Sequence, residues 1–261
     1  MLWVIGGGTM GRGIAEVFAR ARWSVYVREV ASPALEALKI LQEKYPAIQV
    51  GAELPGGSAP TCIIEAVPES LSLKKSVFSE LTAFIGPDTI VATNTSALSV
   101  HELARDLPYR ERFLGWHFFN PAPRMPLVEV IPTVFTAAEV VERSLSILKE
   151  VGKVPIVAPD MPGFIVNRVA RPYYVEALRQ AEQGVPIDTI DRLMEGIGFR
   201  MGPFRLMDLI GIDVNHSVTQ AVWEGLYRPG RFRPSWLQAQ KVAAGLLGRK
   251  NGHGFYEYPN R

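Results

Sequence analysis

Six residues near the N-terminus, Gly6-Gly7-Gly8-Thr9-Met10-Gly11, constrain what this chain can fold into more than any other feature. Glycine-rich turns are common, so G-x-G-x-x-G carries weight only through its surroundings. Here a short apolar run, Leu2–Ile5, stands directly before it. A segment with Ile14, Val17, Phe18 and Ala21 on one helical face opens directly after it. Glu29 closes the next apolar run, eighteen positions beyond Gly11. Each position then has a physical task. Gly6 permits the tight turn, Gly8 lets the backbone approach a pyrophosphate, and Gly11 lets helix and strand pack closely. Thr9 and Met10 open a helix whose amides and positive dipole end face the phosphates. Glu29 would accept hydrogen bonds from the adenine ribose hydroxyls. Arg28 could greet a 2′-phosphate, but a carboxylate at the ribose repels one, so the reading is NAD rather than NADP.

Short apolar runs alternate with helix-period segments through the first two-thirds of the chain, the pattern of a parallel α/β sheet. The strands expected are Leu2–Ile5, Val25–Val27, Cys62–Glu65, Ile90–Thr93, Phe113–Phe118 and Leu127–Ile131, with Val154–Ala158 at the sheet edge. Between Glu29 and Cys62 only one helix is expected, Pro33–Tyr45, stopped by Pro46, and Leu54–Pro60 reads as coil. After Pro159-Asp160-Met161-Pro162-Gly163 the strand runs stop and helical periodicity takes over, as in Ile190, Leu193, Met194 and Ile197. The expected layout is a Rossmann-type α/β domain over residues 1–159, followed by an all-α domain over residues 160–261.

Composition narrows the function. With 28 Lys and Arg against 26 Asp and Glu, the formal charge is +2, which argues for neither a nucleic-acid partner nor a membrane surface. Cys62 is the only cysteine, so no intrachain disulfide and no thiolate metal cluster can form. No apolar run approaches the roughly 20 residues of a membrane span. No signal-like leader precedes the first strand, and the expected location is the cytoplasm. No metal site is expected.

Two stretches carry the chemistry, Thr93-Asn94-Thr95-Ser96 and His117-Phe118-Phe119-Asn120-Pro121. Both lie at carboxyl ends of expected strands, where open α/β sheets bind their ligands. Glu129 stands on the next strand, twelve residues beyond His117. A glutamate inside an apolar strand needs a partner to be buried cheaply. A histidine with a carboxylate partner is suited to moving a proton off an alcohol. His101 reads as a solvated helix start, His216 as a helix residue and His253 as part of a glycine loop, with no comparable constellation around any of them.

These stretches, together with Ile64–Leu81, Pro162–Arg168, Met201–Val214 and Gly248–Tyr258, make the chain similar to the L-3-hydroxyacyl-CoA dehydrogenase family along nearly its whole length. The resemblance implies a Rossmann-type domain followed by a helical domain like the C-terminal domain of 6-phosphogluconate dehydrogenase, which also forms a homodimer interface. It implies NAD-dependent oxidation of (S)-3-hydroxyacyl-CoA to 3-oxoacyl-CoA, with His117 as general base and Glu129 as its orienting partner. Ser96 and Asn167 would hydrogen-bond the substrate oxygens, and Asn120 would line the same site. Ala66, Glu69, Lys74, Asn94, Ser96 and Lys250 match cofactor contacts. Lys74, beside Lys75, also reads as solvated helix face.

One segment departs from the family. Members commonly carry a longer helical hairpin after the second strand that meets the CoA moiety, and between Val30 and Pro60 it is shortened or missing. Ala97 stands where many members have a second small hydroxyl residue. The alternatives are the same chemistry on a non-CoA 3-hydroxy acid such as gulonate, or a nucleotide-binding structural protein without turnover.

Overall fold

The computed structural model describes residues 1–259. The chain divides into two compact units, Met1–Asp160 and the remainder from Met161. The first contains eight strands: β1 Leu2–Ile5, β2 Val25–Arg28, β3 Ile48–Gly51, β4 Cys62–Glu65, β5 Ile90–Thr93, β6 Phe113–Phe118, β7 Leu127–Pro132 and β8 Val154–Val157. They form one sheet in the order β3-β2-β1-β4-β5-β6-β7-β8. Every residue of β1, β4, β5 and β6 is buried. That is why these four read as continuous apolar runs rather than as alternating ones. The helices of this unit are α1 Thr9–Arg20, α2 Ser32–Lys44, α3 Leu71–Leu81, α4 Val100–Ala104 and α5 Ala138–Glu150.

The structure corrects the sequence reading in two places. No strand is expected between Tyr45 and Leu54, yet β3 stands there, paired with β2 from Val25↔Ile48 to Arg28↔Gly51; residues 54–60 are free of helix and strand, as expected. Only Ile48 of this edge strand is buried, so Ile-Gln-Val-Gly carries no apolar run to betray it. The sheet, expected to be parallel, runs so from β3 through β6, but β7 is antiparallel to β6, and β8 is parallel to β7. The reason is the connection. Eight residues separate Phe118 from Leu127, whereas a parallel return needs a crossover of about a dozen or more.

The second unit is helical: α6 Val166–Glu182, α7 Ile187–Gly196, α8 Pro203–Ile210, α9 Ile212–Gly225 and α10 Trp236–Ala243. Tyr174, Leu178, Ile190, Phe204 and Met207 form its core. Two buried aspartates fasten the C-terminal segment to it. Asp208 accepts the amides of Phe255 and Tyr256 and the Tyr258 hydroxyl, each at 2.9 Å. Asp191 accepts the amides of Phe204 and Arg205 and the Tyr256 hydroxyl. Among the described residues, no helix is long and apolar enough to cross a membrane.

Candidate active site

The glycine turn joins β1 to α1 and can be built only as it is. Gly6 has a φ of +102°, and a Cβ there would lie 2.8 Å from the Ala66 carbonyl oxygen. A Cβ on Gly11 would lie 1.8 Å from the Gly6 carbonyl oxygen. The turn therefore presses against Ala66 at the end of β4 and against its own helix. A Cβ on Gly8 would meet nothing within 4 Å, so the backbone there borders open space at the start of α1.

Glu29 is held in the same corner. Its Oε2 accepts the Gly7 amide at 2.7 Å, and its Oε1 accepts the amides of Val30 and Ala31, both at 2.7 Å. The carboxylate ties the end of β2 to the glycine turn, a bond to Gly7 that the spacing of the motif does not announce. Arg28 is engaged elsewhere: its guanidinium donates to Glu80 at 2.7 Å and to the Ala52 carbonyl at 3.0 Å. The one cation beside Glu29 in sequence is thus paired.

Behind the turn lies a charged cluster. Glu65, at the end of β4, and Lys74, on α3, are both fully enclosed. Lys74 Nζ reaches Glu65 Oε1 at 2.7 Å, the Val67 carbonyl at 3.2 Å and Glu69 Oε2 at 3.3 Å. Lys74 is therefore not part of a solvated helix face. Glu69 Oε1 gathers the Thr95 hydroxyl at 2.6 Å, the Ser96 amide at 2.8 Å, the Ala97 amide at 3.0 Å and the Ser96 hydroxyl at 3.3 Å. The loop that carries Ser96 after β5 is shaped by this one oxygen. Asn94 plays a similar part: its Oδ1 accepts the Phe118 amide at 2.8 Å and so fixes the end of β6 beside His117.

Burial opposes ionisation of Glu69, but Lys74 and the donors from Thr95, Ser96 and Ala97 outweigh it and hold the carboxyl below its ordinary 4.5. A depressed acid contributes stability that is complete above the unfolded value and is lost as pH falls through the folded one. Glu69→Gln is accordingly expected to lower the urea midpoint by its full amount at neutral pH. The gap to wild type should shrink below about pH 4.5; a gap constant with pH would show that the charge contributes nothing.

His117 and Glu129 face each other as directly paired residues of the antiparallel β6–β7 ladder. His117 Nδ1 lies 2.6 Å from Glu129 Oε2, with the histidine 5% exposed and the glutamate 0%. The imidazole also lies against Phe119, ring centroids 4.5 Å apart. Reversal of the chain at the exposed Asn120 places the two residues opposite each other. Ser96, His117, Glu129 and Asn120 all belong to the first unit, on or just beyond the ends of β5, β6 and β7. Asn167 and Lys250 belong to the second. Asn167 opens α6 and accepts Arg171 Nε on its carbonyl at 3.0 Å. Lys250 is paired with both carboxylate oxygens of Asp213 at 2.6 Å.

His101 lies in the first turn of α4, as expected, but it has partners that the sequence reading did not give it. Its Nδ1 is 2.5 Å from Asp160 Oδ2, which also accepts the His101 amide and the Ser99 hydroxyl, while its Nε2 accepts the Val134 amide at 3.0 Å. The partners are fifty-nine positions apart in sequence, and no local pattern links them.

The family model of the 3-hydroxyacyl-CoA dehydrogenase NAD binding domain matches residues 2–53 and 41–161, and that of the 3-hydroxyacyl-CoA dehydrogenase C-terminal domain matches residues 163–258. The chain belongs to the 3-hydroxyacyl-CoA dehydrogenase family. The first unit is that family's NAD-binding domain. Its match is broken into two pieces that overlap over residues 41–53, the stretch that leads from α2 into β3, so the departure from the family layout lies there. Over 98% of its length the chain is 40% identical to 3-hydroxyadipyl-CoA dehydrogenase from Escherichia coli K12, and it spans 58% of that protein. It is 36% identical to the mitochondrial hydroxyacyl-coenzyme A dehydrogenase of Rattus norvegicus, covering 98% of this chain and 90% of the relative. The structure of (S)-3-hydroxybutyryl-CoA dehydrogenase from Ralstonia eutropha superimposes with a TM-score of 0.89 at 31% identity, covering 99% of both chains.

Proposed function

We propose that this chain is an NAD-dependent dehydrogenase that interconverts (S)-3-hydroxyacyl-CoA and 3-oxoacyl-CoA. The observation that carries the reading is the enclosed His117–Glu129 pair at the end of β6, in the same sheet as the glycine turn of an NAD-binding domain. The residues fit the cofactor: backbone bordering open space at Gly8, a carboxylate anchored at Glu29, and Arg28 already paired. Bound NAD would accept the hydride that leaves C3 of the substrate.

The protein's own groups handle the proton and the alignment. With Nδ1 given to Glu129, Nε2 is the imidazole nitrogen that takes the proton of the 3-hydroxyl as the C3–O bond becomes a carbonyl. Glu129 holds the tautomer and stabilises the imidazolium. Ser96, held by Glu69, and Asn167, at the start of α6, hydrogen-bond the substrate oxygens, and Asn120 is a further substrate contact. Gly6, Gly8, Thr9, Met10, Gly11, Glu29, Ala66 and Asn94 form the cofactor's bed. Glu69, Lys74 and Lys250 complete it.

The test is NADH consumption with acetoacetyl-CoA, run beside free acetoacetate and dehydrogulonate. Turnover of the thioester supports the reading. Turnover of a free acid alone would keep the His117–Glu129 chemistry and remove CoA from the substrate. Glu29→Ala should weaken NADH binding and narrow the NADH over NADPH preference; titration of either nucleotide by fluorescence checks it, and no change in either would sink the ribose assignment.

The same reading places the protein in the cytoplasm as a homodimer. Leu193, Ile197, Phe199, Leu209, Ile210 and Val214 of the second unit are exposed apolar side chains, an apolar surface of the kind that homodimers cover. Sedimentation at twice the 28.9 kDa chain mass supports the dimer, and a monomer at micromolar concentration would count against it.

A further inference from the structure

The helical unit buries a cation without an anion. Arg171, on α6, is 3% exposed. Its Nε donates to the Asn167 carbonyl at 3.0 Å, and its Nη1 donates to the Asn215 carbonyl at 3.1 Å and the Thr219 hydroxyl at 2.9 Å. The guanidinium lies over the Tyr174 ring, 4.8 Å from its centroid. All of these partners are neutral. Among the described residues no carboxylate stands within ion-pair reach of Arg171, and Nη2 makes no hydrogen bond. Desolvation accordingly pushes the guanidinium down to about 10.

A buried charge is normally paired, because removing it from water is costly unless an opposite charge approaches. Around Arg171 a second donor is also unspent. Asn215, 2% exposed, accepts Gln238 Nε2 on its Oδ1 at 2.9 Å, while its buried Nδ2 has no partner among the described residues. An unspent guanidinium nitrogen and an unspent amide on neighbouring residues are the donor set for one carboxylate.

The position on the helix connects this cation to the reaction. Arg171 lies four residues after Asn167, on the same face of α6 and about 6 Å further along its axis. A group held by Arg171 thus lies a few carbons beyond one held by Asn167. We propose that Arg171 and Asn215 form the receptor for a carboxylate at the far end of the acyl chain. The preferred substrates are then 3-hydroxyacyl thioesters of dicarboxylic acids rather than of simple fatty acids. This rests on the dehydrogenase reading and on Asn167 holding the substrate oxygens.

The experiment compares kcat/KM for 3-oxoadipyl-CoA and 3-oxohexanoyl-CoA, which have equal chain length and differ at the far end. Charge-assisted pairing in an enclosed site should favour the dicarboxylic thioester by about ten- to a hundredfold. In Arg171→Met the ratio should fall toward one, mostly through KM, and Arg171→Lys should restore part of it. Asn215→Asp places a carboxylate of the same shape beside the guanidinium and keeps the charge paired if Arg171→Met does not fold; it too should abolish the preference. A wild-type ratio near one, or a ratio unchanged in these variants, overturns the proposal. Adipate alone supplies a readout independent of turnover: it should raise the melting temperature of wild type and not of Asn215→Asp. Absence of that shift counts against the receptor, whereas failure of both thioesters to turn over while adipate still binds counts against the dehydrogenase reading.

Discussion

Replacing His117 with alanine is expected to lower kcat by about 10²- to 10⁴-fold, the range that positioned general bases contribute, with NADH affinity unchanged. The expectation follows from the way the ring is fixed. Cross-strand pairing puts Glu129 directly opposite His117, and the 2.6 Å contact commits Nδ1 to the carboxylate. Glu129 has no exposure, so its charge acts on the imidazole with little screening from water. Glu129→Gln preserves the shape and removes the charge. It should slow turnover less than His117→Ala does, and it should change the pH profile of kcat, because the imidazolium loses its counter-ion. Stopped-flow measurement of the hydride step with each variant, beside fluorescence titration of NADH, separates chemistry from binding. Near-normal turnover in His117→Ala would remove His117 from the mechanism. An unchanged pH profile in Glu129→Gln would make the glutamate a structural group.

Much of this site could be read from the chain before its fold was known, and the reason is local. The glycine turn, its flanking strand and helix, and Glu29 lie within thirty residues, and each meets a steric requirement that few side chains satisfy. The central strands are buried on both faces, so Leu2–Ile5 and Cys62–Glu65 announce themselves as apolar runs. His117 and Glu129 could be paired from sequence because a glutamate in an apolar strand demands a partner.

What stayed hidden depends on contacts that composition does not encode. The strand Ile48–Gly51 buries one residue. The reversal of β7 depends on the length of a turn. The bond from His101 to Asp160 spans fifty-nine positions. Lys74 sits beside Lys75 in sequence, yet Lys74 is enclosed and Lys75 is not, a difference set by Glu65 on β4. Arg171 looks like any helical arginine until α9 is packed against it, and only then does its lack of an anion become visible.

Removing the ammonium of Lys74 should be the most destabilising single change in the first unit. Truncating one partner of a buried ion pair strands the other, at about 3–5 kcal/mol. Here Lys74→Met would strand Glu65, which has no exposure and whose other donors are the Thr93 hydroxyl and the Val67 amide, both at 2.7 Å. Burial already pushes the Glu65 carboxyl above the usual carboxylate range, and Lys74 pulls it back. Lys74 offsets only part of that push, and without it the folded protein binds a proton on Glu65 still more readily than the unfolded chain does, so the stability of Lys74→Met should rise more steeply than that of wild type as pH falls from neutral toward the ordinary carboxylate value. Combining Lys74→Met with Glu65→Gln removes the stranded charge. The double variant should therefore lose less than the two single losses added together, and its stability should depend less on pH in that range. Urea unfolding of the four proteins at neutral and mildly acidic pH measures both effects. A loss below about 1 kcal/mol in Lys74→Met, the range of exposed pairs, would show that water or a rearranged side chain takes the place of the ammonium.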